Sequence, residues 1–188
     1  MNSTRLTTDF FSRDVLEVAP ELLGSILVRK FESGEMAKYV ITEVEAYRGA
    51  EDLACHASKG RTTRTEVMFS QGGHLYIYLI YGVHWMLNVV TGKENEPQAV
   101  LVRGVENCIG PGRLTRYLKI DKSFYGEDIC QSQRIWLEKT TIEYSYKTGP
   151  RIGVDYAGDH WASMPWRFWL DGYGVPEKLT ANKQPYRL

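Results

Sequence analysis

Short runs of alternating or β-branched residues, each bounded by turn residues, recur along this chain and most constrain its fold. Residues Glu32–Glu35 and Tyr81–Val83 are typical of tight connections between neighbouring strands, which favours antiparallel hairpins. The pattern predicts six strands, at about Ser25–Phe31, Lys38–Tyr47, His74–Ile80, Trp85–Thr91, Gln98–Val105 and Trp166–Leu170. Strands that follow one another in this way build a curved, mostly antiparallel sheet.

Two helices are predicted outside these strands. The first runs from about Asp14 towards Leu23, with Ser12 as its N-terminal cap and Gly24 at its end. The second covers Arg113–Ile120. No repeat, linker or compositional break divides the chain, so we expect a single α+β domain over residues 1–188, with helices packed around the sheet.

Composition excludes several classes of protein. The 23 Lys and Arg balance the 23 Asp and Glu, which argues against a nonspecific polycation but allows a local basic groove. The longest apolar stretch, Leu75–Val90, is broken by Gly82, His84 and Asn88, whereas a membrane-spanning helix needs ~20 apolar residues. Met1–Phe10 carries no apolar run typical of a secretory signal. We therefore expect a cytoplasmic protein that is neither secreted nor associated with a membrane.

Cysteine and histidine usage predicts neither a disulfide framework nor a metal site. The cysteines are scattered and form no CxxC pair, and the histidines lack metal-ligand spacing: Cys55, Cys108 and Cys130; His56, His74, His84 and His160. The chain also has no phosphate-binding loop and no dinucleotide-binding glycine motif. We expect chemistry without a metal or a cofactor, or binding alone.

The predicted strand Lys38–Tyr47 places carboxylates beside an aromatic ring. On a two-residue period, one face carries Tyr39, Ile41, Glu43, Glu45 and Tyr47, and the other carries Val40, Thr42, Val44 and Ala46. A carboxylate against an aromatic wall suits a general base that activates water. Carboxylates also decorate exposed edge strands for solubility, which is the commoner reason for such a pattern. The residues alone leave both interpretations open.

Tyr81 and Arg103 stand out in the remaining strands. Tyr81 lies at a predicted hairpin tip beside Gly82, where a flat ring could stack on a base or enter a duplex, although tyrosine is also common in sheets. Arg103 lies inside an apolar strand, and a buried guanidinium needs a carboxylate partner, for which Glu45 is a candidate.

Basic residues form two groups that could neutralise phosphates. One group precedes the predicted strand His74–Ile80 and consists of Lys59, Arg61 and Arg64. The other follows residue 110 and consists of Arg113, Arg116, Lys119 and Lys122. A solvated, charge-rich surface is the alternative interpretation. Asn88 interrupts an apolar strand, so its buried amide must find hydrogen-bond partners.

Several motifs occur in a fixed order from about Val15 to Leu170, with compatible spacing. They include Glu43–Tyr47 followed by Glu51, Asp52 and His56, then Leu75–Gly82, Asn88, Val100–Arg103, Gly110–Leu114, Asp121–Phe124, Arg151–Val154 and Ala157–Gly158. This ordered set resembles the alkyladenine (3-methyladenine) DNA glycosylase family, in its compact bacterial form.

The resemblance implies catalytic roles for three positions. Glu45 would be the general base that activates the hydrolytic water, and Arg103 and the backbone carbonyl of Ile152 would position that water. Tyr81 would be the wedge that fills the gap left by a flipped nucleotide. Lys59, Arg61, Arg64 and Arg113 would then contact DNA phosphates.

The resemblance also implies a pocket for the flipped base. Tyr47 and Tyr78 would form the walls between which a purine stacks, with His56 at its edge. Asn88 would disfavour the exocyclic amine of guanine, and Leu101 would lie on the sugar side.

The activity implied in this way is a monofunctional DNA glycosylase of base excision repair. It would act on double-stranded DNA that contains damaged purines, such as 3-methyladenine, 7-methylguanine, hypoxanthine or ethenoadenine. It would work as a monomer at the bacterial nucleoid, without metal or cofactor. The competing classes are a noncatalytic nucleic-acid-binding module and a bifunctional lyase, which would need a lysine nucleophile in the pocket.

Overall fold

The computed structural model describes residues 4–140, 142 and 144–173, within which all strand pairs are antiparallel. The strands are β1 (Thr4–Arg5), β2 (Ile26–Lys30), β3 (Met36–Arg48), β4 (Leu75–Ile80), β5 (His84–Thr91), β6 (Gln98–Val105), β7 (Cys108–Ile109), β8 (Ile135–Lys139), β9 (Tyr146–Gly149) and β10 (Arg167–Leu170). The helices are α1 (Thr8–Phe11), α2 (Val15–Leu22), α3 (Pro111–Tyr117) and α4 (Asp159–Ser163). The predicted α+β class is confirmed. The predicted domain also includes residues 1–3, 141, 143 and 174–188, which lie outside the described residues.

Strand β3 lies at the centre of the sheet, in which the strands follow the order β1-β8-β2-β3-β6-β5-β4. Its first half pairs with β2, and its second half pairs with β6 on one side and with β10 on the other. The residues from Glu43 to Glu45 therefore lie between two neighbouring strands. This position removes them from solvent, so the exposed-edge interpretation of the carboxylates is wrong.

The main core fills the space between the helices and the sheet. Apolar side chains of α2 and α3 pack with those of β3 and β6, including Val18, Leu22, Leu114, Val44 and Val102. A smaller cluster around Met68, Tyr76 and Ala99 packs under the long segment between β3 and β4. No helix in the described ranges is both long enough and apolar enough to cross a bilayer.

The start of the first predicted helix is corrected by the structure. Helix α2 begins after Asp14, whose side chain accepts a hydrogen bond from the backbone N–H of Leu16. Ser12, the predicted cap, instead ends α1 and donates its hydroxyl to the carbonyl of Thr8. Asp14 is the effective cap because its carboxylate reaches an unpaired N–H in the first turn.

The predicted alternation along β3 breaks before the carboxylates. Ile41 belongs to the main core together with Val44 and Ala46, and does not share a face with Glu43. The pairing between β3 and β6 is irregular on both sides of Glu43. Such an irregularity changes which way the following side chains point, so a strict two-residue period fails at this position. From Glu43 to Tyr47 the predicted alternation is confirmed.

Candidate active site

A cavity of about 410 Å³ opens where β3, β4, β5 and β6 meet the loops on either side of them. Its wall combines aliphatic side chains with a group of aromatic ones, Tyr47, His56, Tyr76, Tyr78, Tyr81 and Tyr156. Asn88 and Arg103 add polar groups. This combination of size, aromatic lining and few polar groups is typical of small-molecule sites.

Glu45 lies directly behind the wall of this cavity, and its side chain is fully buried. One carboxylate oxygen accepts the hydroxyl of Tyr47 at 2.8 Å, and the other accepts the backbone N–H of Ile152 at 2.7 Å. Arg103 Nη1 lies 3.3 Å from the second oxygen. All three partners line the cavity, so the carboxylate is fixed immediately next to it.

Arg103 is shared between two carboxylates of β3. Its Nε donates to Glu43 Oε1 at 2.9 Å, so Glu43 is its closer partner and Glu45, the predicted one, is the second. Burial alone lowers the pKa of Arg103, but the charges of Glu45 and Glu43 outweigh burial and raise it. Arg167 of β10 also lies 3.4 Å from Glu43 Oε1. The result is a buried, alternating group of acidic and basic side chains.

A second buried ion pair fixes the loop that carries Ile152. Asp52 and Arg151 are both fully buried and form two bonds, of 2.5 and 2.9 Å. Asp52 also accepts two backbone N–H groups, and Arg151 donates to the carbonyl of Ala46 at 3.0 Å. Because Arg151 precedes Ile152, this pair holds the N–H of Ile152 against Glu45. Asp52 and Arg151 were not predicted as site residues, although both occur in the motifs of the resemblance.

The two tyrosines predicted as pocket walls both line the cavity. Burial first, and then the charge of Glu45, raises the pKa of Tyr47 well above its usual value. Burial also raises the pKa of Tyr78. Both hydroxyls are therefore protonated at neutral pH, and Tyr47 can donate its proton to the hydrogen bond with Glu45. The guanidinium of Arg151 lies 4.8 Å from the ring centre of Tyr47.

His56 also lines the cavity, where its ring contacts those of Tyr76 and Tyr78. Its Nδ1 is 2.8 Å from the hydroxyl of Tyr76, and its ring centre is 4.6 Å from that of Tyr78. Burial, followed by the nearby charges of Arg64 and Lys59, lowers the pKa of His56 to about 4. The imidazole is therefore neutral at neutral pH. Tyr76 was interpreted from sequence as ordinary sheet tyrosine, but it also lines the cavity and contacts His56 there.

Asn88 and Leu101 face each other across paired strands. They are Cα partners between β5 and β6, and both are buried at the cavity wall. The amide nitrogen of Asn88 donates to the carbonyl of Tyr76 at 3.0 Å. The buried amide thus has the partner that its position in an apolar strand requires.

Tyr81 occupies the predicted hairpin tip. The N–H of Val83 donates to the carbonyl of Ile80 at 3.1 Å, which closes a tight turn. Tyr81 and Gly82 have φ angles of +50° and +71°, the left-handed geometry of a type I′ turn. The side chain of Tyr81 is 89% exposed beside the cavity mouth. Ordinary packing does not account for a large ring in this position.

The residues predicted to contact phosphates differ in their surroundings. The guanidinium of Arg61 pairs with Glu66 at 3.0 Å, bonds to Asn95 and lies over the ring of Phe69. Arg64 lies over the outer side of the aromatic wall, 5.1 Å from the ring centre of Tyr78. Lys59 ends a short 3₁₀ turn that begins at His56, and Arg113 lies in the first turn of α3. Contact of these residues with DNA stays a prediction.

The chemistry open to this site follows from its fixed carboxylate. Glu45 can accept a proton from a water molecule at the cavity wall. Its negative charge can also stabilise a positive charge that develops in the cavity. The aromatic lining suits a flat ring as the bound group. Across the described ranges, no group of three or more His, Cys, Asp or Glu is arranged to hold a metal ion. This arrangement suits hydrolysis of a bond to a flat aromatic group.

Comparison with known proteins agrees with this class. The sequence model of the family Methylpurine-DNA glycosylase matches residues 9–109 and 105–174. A protein of Myxococcus xanthus is 45% identical, with 88% of this chain and 89% of that protein covered. A protein of Methanocella arvoryzae is 42% identical, with coverage of 87% and 91%. Both are provisionally named 3-methyladenine DNA glycosylase. This chain therefore belongs to the methylpurine-DNA glycosylase family and is a DNA glycosylase, a hydrolase of N-glycosidic bonds.

Replacement of Asp52 by Asn tests the ion pair beneath the Ile152 loop. The substitution leaves the guanidinium of Arg151 buried without a counter-charge, which typically costs about 3–5 kcal/mol. We expect the free energy of unfolding, measured by urea denaturation, to fall by that amount. Glu21→Gln is the control, because it removes a similar two-bond pair with Arg13 at the surface, worth at most about 1 kcal/mol. Equal losses in both variants would contradict the structural role of Asp52.

The pKa of His56 predicts a pH dependence. Between about pH 4 and pH 6.5, the ordinary value, the unfolded chain binds a proton at His56 that the folded chain does not. The contribution of this group therefore lowers the free energy of unfolding as pH falls through this range. An NMR titration of the ring should place its pKa near 4. Arg64→Gln removes a neighbouring positive charge and should raise that pKa, whereas titration at the ordinary value in both proteins would refute the assignment.

Proposed function

We propose that this chain is a monofunctional glycosylase of base excision repair, which flips a damaged purine nucleotide out of double-stranded DNA and hydrolyses its N-glycosidic bond. The observation that carries the proposal is the carboxylate of Glu45, fixed by two hydrogen bonds and an ion pair to residues that themselves line the cavity. A module that only binds DNA gains nothing from such a group, because a buried negative charge beside the phosphates weakens binding.

Glu45 acts as the general base in this proposal. Cleavage of an N-glycosidic bond builds positive charge on the sugar, which a nearby carboxylate stabilises. The same carboxylate takes a proton from the attacking water. Arg103 and the backbone carbonyl of Ile152, both at the cavity wall, position that water. The aromatic cavity accepts the extruded base between Tyr47 and Tyr78.

The remaining pocket residues select the base. His56 meets the edge of the purine, Asn88 disfavours the exocyclic amine of guanine, and Leu101 lies on the sugar side. Because all three line the same cavity, one bound purine can contact them together.

The substrates that fit best are purines that already carry a positive charge. 3-Methyladenine and 7-methylguanine leave without a proton donor, since alkylation has made the base cationic. Hypoxanthine and ethenoadenine are neutral and need an acid. With a pKa of about 4, His56 holds no extra proton at neutral pH, so it does not supply one. We therefore propose alkylated purines as the main substrates, with neutral lesions released more slowly.

DNA binding in this proposal combines contacts of basic side chains with phosphates and insertion of the hairpin tip into the duplex. Lys59, Arg61, Arg64 and Arg113 contact the backbone, and Tyr81 fills the gap left by the flipped nucleotide. The protein acts as a monomer on the bacterial nucleoid in the cytoplasm, with neither metal nor cofactor. No lysine is found among the residues that line the cavity in the described part of the chain, which favours simple hydrolysis over a lyase reaction.

Replacement of Glu45 by Gln tests the proposed base. The amide keeps the shape of the side chain but cannot accept a proton, so release of bases should fall by about 10²–10⁴-fold. The assay incubates the purified protein with alkylated genomic DNA and identifies the freed bases by mass spectrometry. Binding to a duplex with an abasic-site analogue should persist.

Glu43→Gln is the matched comparison, because Glu43 contacts Arg103 but neither Tyr47 nor Ile152. We expect Glu43→Gln to retain more activity than Glu45→Gln. The reverse order would assign the base to Glu43, and unchanged release in Glu45→Gln would refute the catalytic proposal.

Replacement of Tyr81 by Ala tests the wedge. Loss of ring stacking, worth ~1–3 kcal/mol, should reduce release of a paired lesion by about tenfold or more, measured as single-turnover rates. Release from a mismatched or flexible site should change less, because less unstacking is required there. Val83→Ala alters the same tip, where Val83 is 64% exposed, and serves as the control. Equal losses on both substrates would mean that Tyr81 is not the wedge.

A further inference from the structure

A second cavity, of about 530 Å³, lies at the far end of β2 and shares no lining residue with the first. Its wall contains four basic residues, Arg29, Lys30, Lys119 and Arg134, against two acidic ones, Glu32 and Asp121. The wall therefore carries an excess of positive charge, and the reaction proposed above does not use it.

Arg29 is the unusual member of this wall. Four arginines are buried in the described part of the chain, and three of them, Arg103, Arg151 and Arg167, form ion pairs with carboxylates. Arg29 is only 5% exposed and forms no ion pair with any described residue. A buried charge without a counter-ion is costly, so this position suits a bound anion.

The surroundings of Arg29 leave one of its nitrogens open. Nε donates to the carbonyl of Leu118 at 2.9 Å, and Nη1 donates to the carbonyls of Lys30 and Arg134. Nη2 has no hydrogen-bond acceptor among the described residues. The guanidinium is flanked by the ring of Phe31 at 4.9 Å and that of Phe124 at 4.8 Å, which hold it in place.

Other cations around the cavity are also free of acidic partners. Lys30 and Lys119 form no ion pair within the described residues, and the ammonium of Lys119 lies 5.6 Å from the ring centre of Phe31. Arg134 differs, because Glu127 already compensates its charge. The carboxylate of Asp121 accepts the N–H of Ser123 at 2.8 Å, so it is engaged in a local turn.

We propose that this cavity binds a phosphate group, held by Nη2 of Arg29 and the ammonium groups of Lys119 and Lys30. Arg29 cannot bind a carboxylate with two parallel bonds from Nε and Nη2, because its Nε already donates to the carbonyl of Leu118. Single donors from several separate cations instead match an anion with oxygens on several sides. The phosphate comes either from the DNA backbone or from a free phosphate compound.

The experiment is an NMR titration of backbone amides in chloride buffer at constant ionic strength. The probes are inorganic phosphate, deoxyadenosine monophosphate, an undamaged DNA duplex and acetate. Phosphate should give saturable shifts at residues 29–33 and 119–124, with weaker affinity for acetate. Shifts there with the duplex would identify the DNA backbone as the source, and shifts only with the two small phosphates would identify a free compound.

Variants separate this site from general charge effects. Substitution of Arg29 would also remove three bonds to carbonyls, so the exposed Lys119 is the better position. Lys119→Gln should weaken phosphate binding about tenfold, the value of one charge-assisted hydrogen bond. Lys93→Gln, at an exposed lysine outside the cavity, should not change the affinity. Equal affinities in the two variants, shifts confined to the Glu45 cavity, or equal binding of acetate would overturn the proposal.

Discussion

The burial of Glu45 behind the cavity wall is the constraint on which the rest of the structure depends. A carboxylate removed from water is costly unless charged and hydrogen-bonding groups surround it. Here Arg103, the hydroxyl of Tyr47 and the N–H of Ile152 supply those groups. Tyr47 comes from the same strand as Glu45, whereas Arg103 and Ile152 come from distant parts of the chain. The cost of one buried charge is therefore offset only when several segments meet.

Each partner of Glu45 has its own support. Glu43 holds Arg103, and the pair of Asp52 and Arg151 holds the loop that carries Ile152. Arg151 also lies over the ring of Tyr47. The groups around the carboxylate are therefore held by contacts within the protein itself. In the role proposed for Glu45, a carboxylate fixed in this way needs no rearrangement when positive charge develops on the sugar.

Sequence patterns predicted the local structure well, and long-range partners poorly. The strand Gln98–Val105 and the tip at Tyr81 are confirmed, because alternation and turn residues depend on neighbours in the chain. The pair of Asp52 and Arg151 joins residues 99 positions apart, and no periodicity indicates such a contact. The prediction that Ile41 shares a face with Glu43 was wrong for a related reason, because irregular pairing between β3 and β6 determines which way Ile41 points.

The left-handed turn beneath Tyr81 has a consequence for the search along undamaged DNA. A flexible loop would lose conformational entropy each time its tip entered the duplex. The backbone of the two residues at this tip is already held in the hairpin turn, so the ring starts from a fixed Cα position. In the role proposed for Tyr81, the free-energy cost of testing an undamaged base pair then comes mainly from distortion of the DNA. Intact and weakened base pairs are then distinguished by the free energy needed to open each of them.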